Sequence, residues 1–360
     1  MTQVSVRRAD AYQAEKLDKA IAAHFEALKV ADDLTADTKV LIKPNLLAAR
    51  APSQAVCTHP AVVAAIARWL KKQGVRRVTV ADSPGGAYNG AILEKLYAAS
   101  GMAALEPLVE LNRDTSSGMK NGFCLLTPVL EADYIIDCAK LKTHGLTVMS
   151  GAVKNLFGCI PGLKKPEWHC KRPTVDGFCD LLIDLCETVR PNLTVMDAVD
   201  CMEGNGPGGG TVRHMGVTLC SRSPYALDEQ AARLMGLSSR QAPIIRAARR
   251  RQLPSRKTVL IGDELPLADP PFVFPDAVLG NERFFTPNGL FHSFFGRRRS
   301  YPTVDAARCV GCGRCAESCP QHIVEIRDKK AVFRRKGCIS CFCCQEMCPA
   351  HAIGVVKRFL

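Results

Sequence analysis

Two cysteine runs with the same spacing constrain this chain more than any other feature. The first is Cys309-x-x-Cys312-x-x-Cys315-x-x-x-Cys319-Pro320; the second is Cys338-x-x-Cys341-x-x-Cys344-x-x-x-Cys348-Pro349. They place eight of the 18 cysteines in two regular sets after residue 308. The N-terminus, MTQVSVRRADAYQAEKLDKA, lacks the apolar core of an export signal, so a cytoplasmic setting is expected. No apolar run reaches the roughly 18 residues that a membrane span needs. A disulfide framework requires an oxidising compartment, so regularly spaced cysteines point instead to metal.

The spacing is that of the bacterial two-cluster ferredoxin, written twice. Three thiolates on one tight loop grip three irons of a cubane, and the fourth cysteine of each run lies far enough round to serve the other cluster. Two 4Fe–4S clusters are therefore expected. Cluster one takes Cys309, Cys312, Cys315 and Cys348; cluster two takes Cys338, Cys341, Cys344 and Cys319. Zinc usually wants two separated cysteine pairs, which this pattern is not. Gly311 and Gly313 let backbone N–H groups approach the first cluster, and Cys343 reads as a bystander. Residues 297–360 hold 13 Lys/Arg against 5 Asp/Glu, so a basic face for an acidic low-potential donor such as a ferredoxin or flavodoxin is expected. The same charges also serve simply to offset the clusters.

Ahead of this module the chain reads as one α/β domain. Short apolar strands (Val40–Ile42, Val78–Val80, Tyr134–Cys138, Leu193–Met196, Gly216–Leu219, Thr258–Ile261) alternate with helical patterns at 60–74, 90–99, 175–189 and 225–235. That alternation predicts a mostly parallel open sheet with helices on both faces, followed by a small α+β ferredoxin-like domain. The expected boundaries are 1–283 for the α/β domain, 284–300 for a packed linker with five phenylalanines (Phe284, Phe285, Phe291, Phe294, Phe295), and 301–360 for the cluster module. The net charge of +13 is dispersed apart from three short basic runs. With no helix-turn-helix or aromatic-rich RNA module, nucleic acid is not an expected partner.

Polar stretches fall where the strands end: Lys43-Pro44-Asn45, Thr58-His59-Pro60, Asp82-Ser83-Pro84-Gly85, Lys140-Leu141-Lys142-Thr143-His144, GAVKNLFG (Gly151–Gly158), Met196-Asp197-Ala198 and Glu203-Gly204-Asn205-Gly206-Pro207. In this order they resemble the domain-of-unknown-function family 362, often fused to a ferredoxin module. The similarity runs from about residue 38 to 262. A remoter likeness to the lactate-racemase-type fold comes without that enzyme's cofactor-binding residues. The resemblance implies an architecture more than a reaction.

Open α/β sheets bind ligands beyond the carboxyl ends of their strands. A cationic pocket for a small anionic substrate is thus expected there. Lys43, Asn45, Asp82, Ser83, Lys154, Asn155, Asp197 and Glu203 are the candidate binding residues; His144, His59, Lys142, Lys140 and Cys159 are the candidate catalytic ones. The histidines titrate near neutrality and can move protons, while Cys159 is a candidate thiol donor or nucleophile. Each motif also has a structural reading. Asp82–Gly85 can be a turn and cap, Thr58 can cap the next helix and leave His59 structural, and Lys140 and Lys142 can share a solvated strand face. The run GNGPGGG (Gly204–Gly210) lacks a phosphate-loop signature and reads as a mobile or substrate-adjacent loop.

The leading expectation is an iron–sulfur reductase whose clusters feed the pocket. An electron-carrying adaptor with no substrate, and a redox-neutral isomerase or metal enzyme with structural clusters, stay open beside it.

Overall fold

The computed structural model describes residues 1–86, 88–253, 257–279 and 298–359. The five linker phenylalanines and most of the expected linker lie outside the described residues. The strands are β1 (Thr2–Arg8), β2 (Lys39–Pro44), β3 (Arg77–Val80), β4 (Glu110–Leu111), the hairpin β5 (Ser117–Lys120) and β6 (Phe123–Leu126), β7 (Tyr134–His144), β8 (Val148–Ser150), β9 (Leu193–Glu203), β10 (Thr211–Ser221) and β11 (Thr258–Gly262). In the module they are β12 (Arg298–Val304), β13 (Val324–Arg327), β14 (Lys330–Phe333) and β15 (Ile353–Phe359).

Nine strands make one mixed sheet of mostly parallel strands. Its order is β11-β1-β10-β9-β7-β2-β3-β4, with β8 on β7. β9, β7, β2, β3 and β4 run parallel, and β10 is antiparallel to both its neighbours. The chain runs outward from β2 through β3 to β4, then returns to place β7 and β9 on the other side of β2. The order reverses between β2 and β7, so the crevice at their carboxyl ends is the topological switch point, where such sheets bind ligands.

Helices cover both faces, which is why the central strands are buried at nearly every position. On β2, Val40 and Ile42 pack with the helices Ala14–Ala27, Pro60–Lys72 and Gly90–Ser100. The intervening Leu41 packs on the opposite face with Val175–Val189. Ordinary start signals fix these helices: Pro60 opens one, Thr174 Oγ1 accepts from Gly177 N at 3.1 Å, and Ser223 Oγ caps Pro224–Leu234. No helix among the described residues is long and apolar enough to cross a membrane.

The module is smaller and twofold in plan. β12 pairs with β15, β13 pairs with β14, and the short helices Arg314–Glu317 and Cys343–Glu346 carry Cys315 and Cys344. It sits over the switch point. Met347 Sδ packs against Gly85, where an added Cβ would come within 2.5 Å of it. Arg50 donates to Pro349 O at 3.2 Å, and Cys170 Sγ lies 3.4 Å from Pro320 O. The glycine-rich loop belongs to this contact. Thr143 Oγ1 donates to Gly204 O at 2.9 Å, and Gly208 and Gly209 bring bare backbone against Glu346 and His351.

Candidate functional site

The eight spaced cysteines surround two small cavities in the module. Cys309, Cys312, Cys315 and Cys348 line one of about 310 Å³; Cys319, Cys338, Cys341 and Cys344 line another of about 320 Å³. Each cavity draws three thiols from one run and the fourth from the other. The remaining walls are apolar, and three backbone N–H groups (Ala331, Ser340 and Ala352) reach the sulfurs of Cys309, Cys338 and Cys348 at 3.4, 3.4 and 3.2 Å. Such bonds favour the thiolate and tune a cluster's potential. Among the described residues no three His, Cys, Asp or Glu converge on a single-ion site. A lone zinc would draw its sulfurs to about 2.3 Å from one point, whereas thiols spread round a cavity suit an iron–sulfur cluster. Gly311 takes φ +67°, and its Cβ would strike the Lys329 backbone, so only glycine fits that turn.

A larger cavity, about 680 Å³, lies at the switch point between the α/β domain and the module. The domain contributes Asn45, Asp82, Ser83, Lys154, Asn155, Lys165 and His169; the module contributes Ser318, Cys343, Glu346 and Met347. Ser318 precedes Cys319 and Cys343 precedes Cys344, so the second cysteine set borders this cavity.

Behind its floor runs a buried polar network. Lys43 Nζ pairs with Asp82 Oδ1 at 2.7 Å and donates to Asn155 Oδ1 at 3.2 Å. Asn155 Nδ2 donates to Asp137 Oδ1 at 2.7 Å, and Asn45 Nδ2 to Asn155 Oδ1 at 2.9 Å. Lys142 Nζ donates to Asn45 Oδ1 at 2.8 Å and to Val56 O at 2.6 Å. Burial pushes Asp137 up to about 8, against the pull of Lys43, and pushes Lys142 down to about 7. Lys43 and Lys142 thus shape the cavity from behind and do not line it. Lys165 does line it, but donates to the Ser83 and Pro84 carbonyls, the latter at 3.0 Å, and burial pushes it down to about 8. Lys154 is different: among the described residues its side chain has no hydrogen bond or ion pair.

The expected single pocket is in fact two clusters. Lys140 and Asp197 lie directly opposite each other on β7 and β9, paired at 2.8 Å, with Tyr12 OH bonded to both. His59 stacks on Tyr12 at 3.6 Å, and its Nδ1 accepts from Ala61 N at 3.2 Å. His59 is therefore the helix cap, while Thr58 Oγ1 bonds to Asn45 N and Cys138 O. None of these three candidates borders the cavity. Burial pushes His59 down to about 4, so its ring is neutral.

The solvated face considered for Lys140 and Lys142 is not found. β7 runs on to His144, and each lysine is 1% exposed. His144 Nδ1 accepts from Leu146 N at 3.0 Å, and its Nε2 lies 2.7 Å from Glu346 Oε1. Burial and Lys154 push His144 down to about 4, which leaves a neutral ring pinning the module to the sheet. Cys159 is a core residue whose thiol burial pushes up to about 12, so it is held protonated. Glu203 binds Val273 N at 3.1 Å and Arg213 at 3.5 Å, away from the cavity.

Lys165, His169 and Glu346 were not among the expected site residues. The His169 ring stacks on Phe178 at 4.3 Å and stands edge-on to Phe157. Burial pushes it down to about 4, and it makes no side-chain hydrogen bond among the described residues. Its only sequence signal was a histidine eleven residues after GAVKNLFG. Lys165 and Glu346 lie outside the polar strand-end stretches, so no motif singled them out.

The family model "Domain of unknown function (DUF362)" matches residues 40–233, and that of the "4Fe-4S dicluster domain" matches 301–349. Thylakoid-associated protein sll1697 of Synechocystis sp. is 31% identical over 253 residues, covering 69% of this chain and 78% of its own length. Among solved structures, the lactate racemase apoprotein from Thermoanaerobacterium thermosaccharolyticum overlays with a TM-score of 0.39 at 12% identity. That overlay covers 61% of this chain and 54% of the racemase, so the chain spans about half the length of that structure. With thiols arranged for iron–sulfur clusters at one end and these matches along its length, the chain belongs to the DUF362 family and carries a C-terminal 4Fe-4S dicluster domain.

Proposed function

We propose that the protein is an oxidoreductase that passes single electrons through two 4Fe–4S clusters to a small anionic organic substrate held in the interdomain cavity. The observation that carries this reading is one shared space: the Lys154 ammonium, which has no hydrogen bond or ion pair among the described residues, and the residues flanking Cys319 and Cys344 line the same cavity. Cys309, Cys312, Cys315 and Cys348 would hold the outer cluster; Cys338, Cys341, Cys344 and Cys319 would hold the inner one. When bound, these clusters supply one electron at a time at low potential. An acidic donor would dock at the outer set, where Cys312 is exposed and Val310 is 66% exposed within a basic module.

Lys154 binds the substrate's carboxylate or phosphate. Asn45 and Asn155, fixed by Lys142 and Lys43, orient it. Met347 and Phe157 exclude water. His169 is the histidine best placed to hydrogen-bond the substrate, because its ring borders the cavity while His59 caps a helix and His144 is tied to Glu346.

The test is anaerobic. Reduce the holoprotein, remove the reductant, and follow the visible cluster absorbance while adding fractionated metabolites. One fraction re-oxidises the clusters, and K154Q slows that step at least tenfold with an unchanged spectrum. Re-oxidation by proteins alone, or equal rates in K154Q, overturns the reading.

A further inference from the structure

A second interdomain cavity, of about 470 Å³, lies across a wall of Leu47, Glu346 and Met347 from the first. The electron path above does not use it. Each half of the chain sends one arginine to its lining: Arg50 from the loop after β2, and Arg314 beside Cys315. Arg50 uses one N–H on Pro349 O at 3.2 Å, leaving the rest of its guanidinium fork available. Arg314 has no side-chain hydrogen bond or ion pair among the described residues. Glu346 is the acid in this lining, and its carboxylate already meets His144 at 2.7 Å. Arg308 and Arg50 both act on neighbouring His351, so positive charge accumulates around the cavity. Gly208 adds bare backbone to the wall. Arg50 is half-buried and Arg314 exposed at the mouth, and two guanidinium forks on one cavity match the planar oxygens of carboxylates and phosphates.

We propose that this cavity is a second anion site, which takes a small carboxylate- or phosphate-bearing molecule on Arg50 and Arg314. The site is independent of any reduction in the first cavity. Its ligand bridges the α/β domain and the module, and lies beside Cys315 and Cys348 of the outer set.

The test uses anaerobic holoprotein carrying K154Q, which removes the Lys154 charge from the first cavity. Inorganic phosphate and malonate are titrated calorimetrically at low salt, with acetate as the monoanion control. Cluster absorbance verifies every variant. One of the two probes binds at least tenfold more tightly than acetate. R50Q and R314Q, each added singly, weaken that probe at least tenfold, while the exposed-charge control R335Q leaves it unchanged. Tighter phosphate identifies a phosphate ligand, and tighter malonate a carboxylate. Absence of binding in K154Q, or losses in R50Q and R314Q no larger than in R335Q, overturns the proposal. Failure of the first-cavity reading shows separately, as unaltered re-oxidation in K154Q alone.

Discussion

Gly158→Ala tests whether the floor of the first cavity depends on one buried ion pair. An alanine Cβ would lie 2.7 Å from Lys43 Nζ and 3.0 Å from Asp82 Cγ, and closer still to Asp82 Oδ1. Neither partner can step aside. Both side chains are buried, Lys43 is held by Asn155, and Asp82 Oδ2 is fixed by Leu46 N at 2.6 Å. The methyl must therefore part the pair, and breaking a buried pair costs about 3–5 kcal/mol because it strands a charge. At roughly 2–4 °C per kcal/mol for a domain of this size, the α/β domain should melt ~6–20 °C lower. The assay is anaerobic thermal unfolding of the holoprotein, followed by the fluorescence of Trp69 and Trp168. Gly90→Ala is the control: no atom lies within 4 Å of its added Cβ, and it opens a helix. The reasoning is refuted if G158A melts within about 2 °C of wild type, since even the low end of the cost predicts more.

Four other outcomes follow. D137N should cost under about 1 kcal/mol at pH 7 by guanidinium denaturation, because burial holds Asp137 at about 8, protonated, and an amide oxygen can still accept from Asn155. D82N, which leaves Lys43 unpaired, should cost about 3–5 kcal/mol in the same assay. Burial holds Lys142 at about 7 against an ordinary 10.5, so the unfolded chain binds more protons between those values and the Lys142 contribution to stability rises with pH across that window. Melting curves between pH 7 and 9.5 should show wild type gaining on K142M by up to about 1.4 kcal/mol per pH unit, and parallel curves would remove the argument. C309S and C338S should each lose about half the bound iron. C338S should abolish re-oxidation by the active fraction while the remaining cluster still accepts electrons, and equal effects from both variants would contradict an inner and an outer position.

The two cysteine sets were legible because their geometry is local: three thiols on one loop are encoded by spacing alone. The sheet was legible too, since alternate residues such as Val40, Leu41 and Ile42 face two different helix layers. β7 was not, beyond Cys138. Lys140 and Lys142 end the apolar pattern, yet the strand continues because each lysine meets a buried partner that is distant in sequence, Asp197 for one and Asn45 for the other. No local period records such a partner. His59 followed the same logic: a candidate proton carrier turned out to cap a helix and stack on Tyr12. The cavity needed one step more. Its far wall is the module, and nothing in the α/β motifs says which residues of another domain will cover a strand end. Glu346 and Met347 were hidden for that reason.

The docking of the module rests on small contacts, among them a histidine–glutamate pair, an arginine on a carbonyl, Cys170 against Pro320 and Gln321, and a methionine seated on glycines. Two separate proteins joined by so little would scarcely associate at cellular concentrations. Here the two partners are consecutive parts of one polypeptide, and a tether raises their mutual concentration to the order of millimolar. Covalent continuity thus replaces affinity. The face can stay polar without losing its partner.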